Sequence, residues 1–182
     1  MDIELQAITE RQGASLRRWV DAYFAEVAAF REFAVGPVDA EGYRYLPLYW
    51  SEPGWHPFFL RAGDTVVGFA LVREVLKPDP FSELAEFFIQ PGSRRIGIGR
   101  EAARAVWEAF PGQWQLQVAL GNGAAMAFWR KCIDSFASGH VSLEHFVGED
   151  GRRIRYRFTV SAPPDPRLQR TALRAAAEPP RR

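Results

Sequence analysis

The segment Arg94-Arg95-Ile96-Gly97-Ile98-Gly99-Arg100 joins a strand-like apolar run, ELAEFFIQ, to a run with helical periodicity. The first amides of a helix have no partner within it, and the helix dipole adds partial positive charge at the same end. Glycine has no Cβ to hold an anion away from the backbone. Arg94, Arg95 and Arg100 add formal charge. Together these residues predict a cradle for a phosphate or diphosphate. Two familiar phosphate motifs do not fit: a dinucleotide fingerprint needs a third glycine where Ala102 stands, and an ATP-type loop needs Gly-Lys-Ser/Thr.

Just upstream, SELAEFF carries two carboxylates, Glu83 and Glu86. Among Leu84, Phe87 and Phe88 a carboxylate loses hydration, and its proton affinity rises toward neutrality. That is what a general base working near pH 7 requires. The bland alternative is that one or both face water at the start of the strand. Strict alternation places the two on opposite sides, because they are three residues apart.

Other chemistries are excluded by composition. The single cysteine, Cys132, leaves no internal disulfide and no all-cysteine metal site, and it reads as a small buried apolar residue. His56, His140 and His145 lack metal-ligand spacing, so no metal is expected. A formal net charge of +1 gives no global reason to expect nucleic acid. No run approaches the roughly 20 apolar residues of a membrane span, and no apolar stretch follows a basic start. A cytoplasmic protein is expected.

The elements that must position these groups follow from periodicity. MDIELQAI alternates as a strand. Thr9 and Gln12 fit a capping box ahead of a helix carrying Leu16, Trp19, Val20, Tyr23, Phe24, Val27 and Phe30 at helical spacing. Residues 35–57, rich in glycine, proline and aromatics, read as an ordered loop with room for a helical turn. A hairpin turns at Ala62-Gly63-Asp64, and the strand with both glutamates follows. The next helix runs from about Gly97 to Phe110 and is stopped by Pro111-Gly112. Trp114, Leu116 and Val118 alternate with glutamines in a strand, and a second helix enters at Asn122. A hairpin around Glu149-Asp150-Gly151 ends the domain. The order β-α-β-β-β-α-β-α-β-β predicts a mixed α/β domain over residues 1–160. Residues 161–182, rich in proline, arginine and alanine, are expected to form a flexible tail.

With these motifs in this order, the chain resembles the GNAT superfamily of acetyl-CoA-dependent N-acyltransferases. Arg94 through Gly99 match its Gln/Arg-x-x-Gly-x-Gly/Ala signature, and Asn122, Ala125, Phe128 and Trp129 match its Asn-x-x-Ala-x-x-hydrophobic-aromatic motif. EFFI, FPGQW and FWRK are similar to a bacterial subgroup of predicted acetyltransferases. The resemblance implies a central, mostly antiparallel twisted sheet of about six or seven strands, the fourth and fifth splayed apart, with helices on both faces. It implies that amides of residues 94–100 hold the pyrophosphate of acetyl-CoA, used as co-substrate. It also implies that the Ile89 backbone pairs with the pantetheine arm and that Asn122 reaches that arm. A helix N-cap is an equally good and compatible reading of Asn122.

For catalysis the resemblance offers both carboxylates. Glu83 has the spacing of the base in histone-type members, and Glu86 belongs to the EFF signature of the subgroup. Members commonly carry tyrosine where Trp129 stands, as presumed acid to the leaving thiolate. An indole N–H cannot act as an acid near neutral pH. Trp129 is therefore expected to pack against cofactor or core, and the acid is unassigned. A thiol with a reference pKa near 8.5 is a tolerable leaving group without one.

Tyr43, Tyr45, Tyr49, Trp50 and Trp55 fall where the family builds its substrate wall, with core filling as the alternative. Arg153, Arg155 and Arg157 read as a solvated face paired with Glu144 and Glu149. The implied activity is direct transfer of acetyl to a primary amine, small-molecule or peptide, in a ternary complex. A homodimer is left open. The rival is a catalytically inactive acyl-CoA-binding sensor, for which Trp129 is the best argument.

Overall fold

The computed structural model describes residues 2–162, so the expected tail lies, from residue 163 on, outside the described residues. Eleven elements follow one another: β1 (Ile3–Ala7), α1 (Gly13–Val27), α2 (Leu48–Ser51), β2 (Trp55–Ala62), β3 (Thr65–Val75), β4 (Phe81–Ile89), α3 (Ile98–Ala109), β5 (Gly112–Ala119), α4 (Gly123–Phe136), β6 (Ser138–Gly148) and β7 (Gly151–Val160). The strands form one sheet in the order β1-β2-β3-β4-β5-β7-β6. Every neighbouring pair is antiparallel except β4 and β5.

Helices cover both faces. Leu16, Val20 and Phe24 of α1 recur every four residues and are buried against Phe59, Phe69, Leu71 and Phe88 of the sheet. The capping box forms as expected, with the Thr9 amide donating to Gln12 Oε1 at 3.0 Å ahead of α1. On the other face, Ala102, Val106 and Trp107 of α3 and Cys132 and Ile133 of α4 pack on Leu84, Trp114, Leu116 and Phe158. The central strand β3 is buried on both sides, which is why Phe69 through Val72 read as a continuous apolar run.

Two irregularities in the middle of the sheet shape everything else. The parallel strands β4 and β5 pair at only three positions, Ser82 with Trp114, Glu83 with Gln115 and Leu84 with Leu116. Beyond Leu84 they part, as the resemblance implies, and a seam opens between them.

The second irregularity corrects an expectation. Along β3 and β4, Arg73 faces Glu83 and Val72 faces Leu84, but Leu71 faces Glu86. Ala85 therefore has no partner and the alternation resets there, as in a β-bulge. Leu84 and Ile89 remain in the α3–α4 core while Phe88 belongs to the α1 core. Glu86, two residues before Phe88, and Glu83, opposite Arg73, lie on the α1 side together. The sequence rule that put them on opposite faces fails because it assumes an unbroken pleat.

Candidate active site

The loop from Gln90 to Gly97 has an unusual backbone. Pro91–Ser93 form a short turn, Arg95 adopts φ 64, and Gly97 adopts φ 91 as the cap of α3. A left-handed arginine is uncommon and, where seen, marks a constrained site. The amides of Arg100 and Glu101 bond the Gly97 carbonyl at 3.1 and 3.2 Å. Among the described residues, the five preceding amides, Arg95 through Gly99, have no hydrogen-bond acceptor. Consecutive N–H groups in such alternating conformations form a concave anion nest.

The two glycines do different jobs from the shared one expected. A Cβ at Gly97 would meet nothing within 4 Å, so glycine is required there by its positive φ. A Cβ at Gly99 would meet the Phe128 ring at 3.2 and 3.3 Å and Ile89 Cγ1 at 3.7 Å. Gly99 lets α3 lie close against α4.

Around the nest, Ile98 is buried in the core and Ile96 is exposed, so both bring only their amides. Arg94 is turned toward α1: Nη1 and Nη2 each reach Glu26 at 2.8 Å, and Nε donates to the Ile89 carbonyl at 2.6 Å. That carbonyl keeps its second lone pair for another donor. Arg100 lies over the Phe136 ring at 5.2 Å. Asn122 acts as the N-cap of α4, accepting from the Ala125 amide at 3.0 Å, with its side-chain NH2 left over. Trp129 is 8% exposed and packed by Phe87, Phe128 and Trp107, so its body belongs to the core while its edge borders the seam.

A cavity of about 1400 Å³ follows the seam, bordered by Gly97, Gly99, Arg94, Arg95, Arg100 and Asn122 and also by Glu83, Glu86 and a set of aromatics. Tyr43, Tyr45, Tyr49 and Trp55 line it as expected. Trp50 does not: its Nε1 donates to the Ile8 carbonyl at 2.9 Å, pinning α2 to the end of β1.

The two glutamates differ sharply. Glu83 is 7% exposed and both its oxygens are engaged. Oε2 pairs with Arg73, while Oε1 accepts from Gln115 Nε2 at 3.1 Å and Gln117 Nε2 at 3.3 Å. The chain continues through Arg157 to Gln115 and from Arg155 and Arg157 to Glu144, crossing five strands. Glu86 is half-buried in the cavity wall, and loss of hydration pushes its carboxyl up to about 7. The Tyr23 hydroxyl, the Arg153 guanidinium and the Tyr43 hydroxyl oppose that rise without cancelling it. Burial and the neighbouring Glu86 raise both phenols, so they stay protonated and can donate. The Tyr49 hydroxyl is buried with no partner.

Arg153 also departs from expectation. It pairs bidentately with Asp150, at 2.8 and 2.9 Å, rather than with Glu149, and it borders the cavity instead of facing solvent. Arg155 does pair with Glu144, at 2.7 Å. Cys132 is buried, and burial pushes its thiol up to about 11, which makes it a poor nucleophile. Among the described residues no three His, Cys, Asp or Glu side chains cluster as a metal site, and no helix is long and apolar enough to cross a membrane.

Sequence reasoning missed Tyr23, Arg73, Gln115, Gln117 and Arg153. The glutamines carried a signal: they alternate on a strand that turns out to be central, so their face could not be open solvent.

Comparison with known proteins agrees with this architecture. A family model described as the acetyltransferase (GNAT) family matches residues 16–132. An acetyltransferase from Thermus thermophilus shares the fold at a TM-score of 0.63 and 17% identity, over 88% of this chain and 98% of that one. AAC(6')-Ib in complex with ribostamycin and coenzyme A has a TM-score of 0.66 at 14% identity, over 98% and 99%. The ribosomal-protein-S18-alanine N-acetyltransferase from Escherichia coli has 0.56 at 15%, over 90% and 97%. No curated protein sequence matches.

Proposed function

We propose, because the chain belongs to the acetyltransferase (GNAT) family, that it moves an acetyl group from acetyl-CoA to a primary amine by direct transfer in a ternary complex. The observation that carries this reading is the run of five unclaimed amides from Arg95 to Gly99. They fit a diphosphate: all are donors, they are consecutive, and three arginines stand nearby. Coenzyme A bound there supplies the activated acetyl group as a thioester.

The chain's own residues do the rest. The Arg95–Gly99 amides would hold the pyrophosphate. Arg95 and Arg100 add charge, and so does Arg94 once it exchanges Glu26 for phosphate. The free lone pair of the Ile89 carbonyl and the spare NH2 of Asn122 are the polar groups the open seam offers to an amide-bearing arm. Phe87, Phe128 and Trp129 wall that seam and keep water from it.

Glu86 is the base. Near pH 7 about half of such carboxyls are ionised, which balances availability against strength. Tyr23 and Tyr43 orient it. Glu83, with its charge paired to Arg73 and both oxygens already accepting, is less free for the work and instead fixes Arg73 and the glutamines. No residue is assigned as acid to the thiolate, and none is required.

Trp129, packed into the core where an acid would be useful, favours a second reading: a sensor that binds acyl-CoA without turning it over. Thiol release from acetyl-CoA across an amine panel separates the two. Amine-dependent release that falls in Glu86→Gln supports the enzyme; coenzyme A binding with no release for any amine supports the sensor.

A further inference from the structure

On the acceptor side of the cavity most carboxylates are already engaged. Glu83 is paired with Arg73 and Asp150 with Arg153, while Glu144, outside the cavity lining, holds Arg155. Among the described residues only Glu86, half-buried, and Glu149, exposed, border the acceptor side without an ion pair, and a polycationic acceptor would need more. Two of the arginines, by contrast, are not saturated. The Nε–H groups of Arg155 and Arg73 are buried without an acceptor among the described residues, and both side chains border the cavity. A buried guanidinium N–H with no partner is costly, and turning that edge toward an anion brought into the cavity would relieve the cost.

Resting on the acetyltransferase reading, we propose that the acceptor is an amine that also carries a carboxylate next to it, an amino acid with an apolar or aromatic side chain. Arg153 and Arg155 project from the same face of β7, about 7 Å apart along the strand. Arg153 and Glu86 border the same cavity, and the arginine's charge acts on that carboxyl. An amine placed on Glu86 thus has its neighbouring carboxylate among the β7 arginines. Tyr45 stacks on Trp55, ring centres 6.3 Å apart, and Tyr49 meets Trp55 edge-on at 5.0 Å, which gives the apolar body of such a molecule its wall. In the reaction the ammonium gives one proton to Glu86, and the freed amine nitrogen bonds the acetyl carbon. The C–S bond breaks with its electron pair staying on sulfur, and the second proton lost from nitrogen goes to the departing thiolate. The acceptor's carboxylate takes no part beyond binding.

The test compares phenylalanine with phenethylamine, phenylalaninamide and spermidine as acceptors, with coenzyme A titrated into the same protein by calorimetry. The expected kcat/KM for phenylalanine exceeds that for each other amine by about 10-fold or more, as one charge-assisted contact allows. Arg155→Gln should narrow that preference to about threefold or less, and Arg155→Lys, which keeps the charge and protects against a folding artefact, should retain part of it. Equal or better turnover of phenethylamine, phenylalaninamide or spermidine overturns the proposal. So does coenzyme A binding with no turnover of phenylalanine. Absence of coenzyme A binding is a different failure, because it removes the acetyltransferase reading beneath the proposal.

Discussion

Glu83 and Glu86 stand three residues apart on β4 and yet face the same cavity, because Ala85 has no partner on β3 and resets the alternation. Their surroundings assign them different work: Glu83 is held by Arg73, Gln115 and Gln117, while Glu86 is acted on by two phenols, Arg153 and the charge of Glu83 itself.

Glu86→Gln should lower kcat by about 10² or more, the usual size of a lost general base. In the wild type, kcat should climb between pH 6 and pH 8 with a midpoint near 7, and that limb should vanish in the variant. Glu83→Gln should keep the limb and raise KM for the amine instead. Steady-state kinetics across pH check both. A retained limb in Glu86→Gln would return the role to another group.

The same carboxyl makes a stability prediction. Its folded value is raised from 4.5 to about 7, so the folded state binds the proton more tightly than the unfolded chain. Stability is therefore fullest below the ordinary carboxylate value and falls as pH rises toward 7, by at most about 3 kcal/mol. Contact of the carboxylate with cavity water reduces that figure. Glu86→Gln should melt higher than wild type at pH 8, and the gap should shrink toward pH 5. Thermal melts at both values test the sign.

Gly97 and Gly99 should separate in their effects. Gly97→Ala forces a Cβ into the left-handed region, costing about 1–2 kcal/mol, and distorts the nest, so coenzyme A affinity should fall about 10-fold. Gly99→Ala meets the Phe128 ring, and its cost should appear as lost stability of about 1 kcal/mol with a smaller effect on affinity. Melting curves and calorimetry on each variant read the two quantities.

Arg94 and Glu26 form an exposed bidentate pair worth little to stability. Glu26 nonetheless competes for the guanidinium. Glu26→Gln should therefore tighten coenzyme A binding a few-fold, Arg94→Ala should weaken it, and high salt should shrink both differences. Binding isotherms at two ionic strengths decide this.

Much of this was legible in the residues. Period-four burial of Leu16, Val20 and Phe24, the capping box at Thr9, and the glycines before α3 each state a local rule that the fold obeys. What stayed hidden needed tertiary geometry. One unpaired alanine moved Glu86 to another face, which no alternation rule detects. Gln115 and Gln117 look like a solvent face until β7 and the cavity cover them, and Arg153 looks like surface until the hairpin folds it onto Asp150.

The most direct measurement is titration calorimetry of the full chain with coenzyme A and, separately, with pantetheine, which lacks the diphosphate. The nest account predicts saturable binding of coenzyme A and affinity for pantetheine weaker by about 100-fold or more, the loss of several charge-assisted contacts. No heat with coenzyme A, or equal affinity for the two, would contradict it.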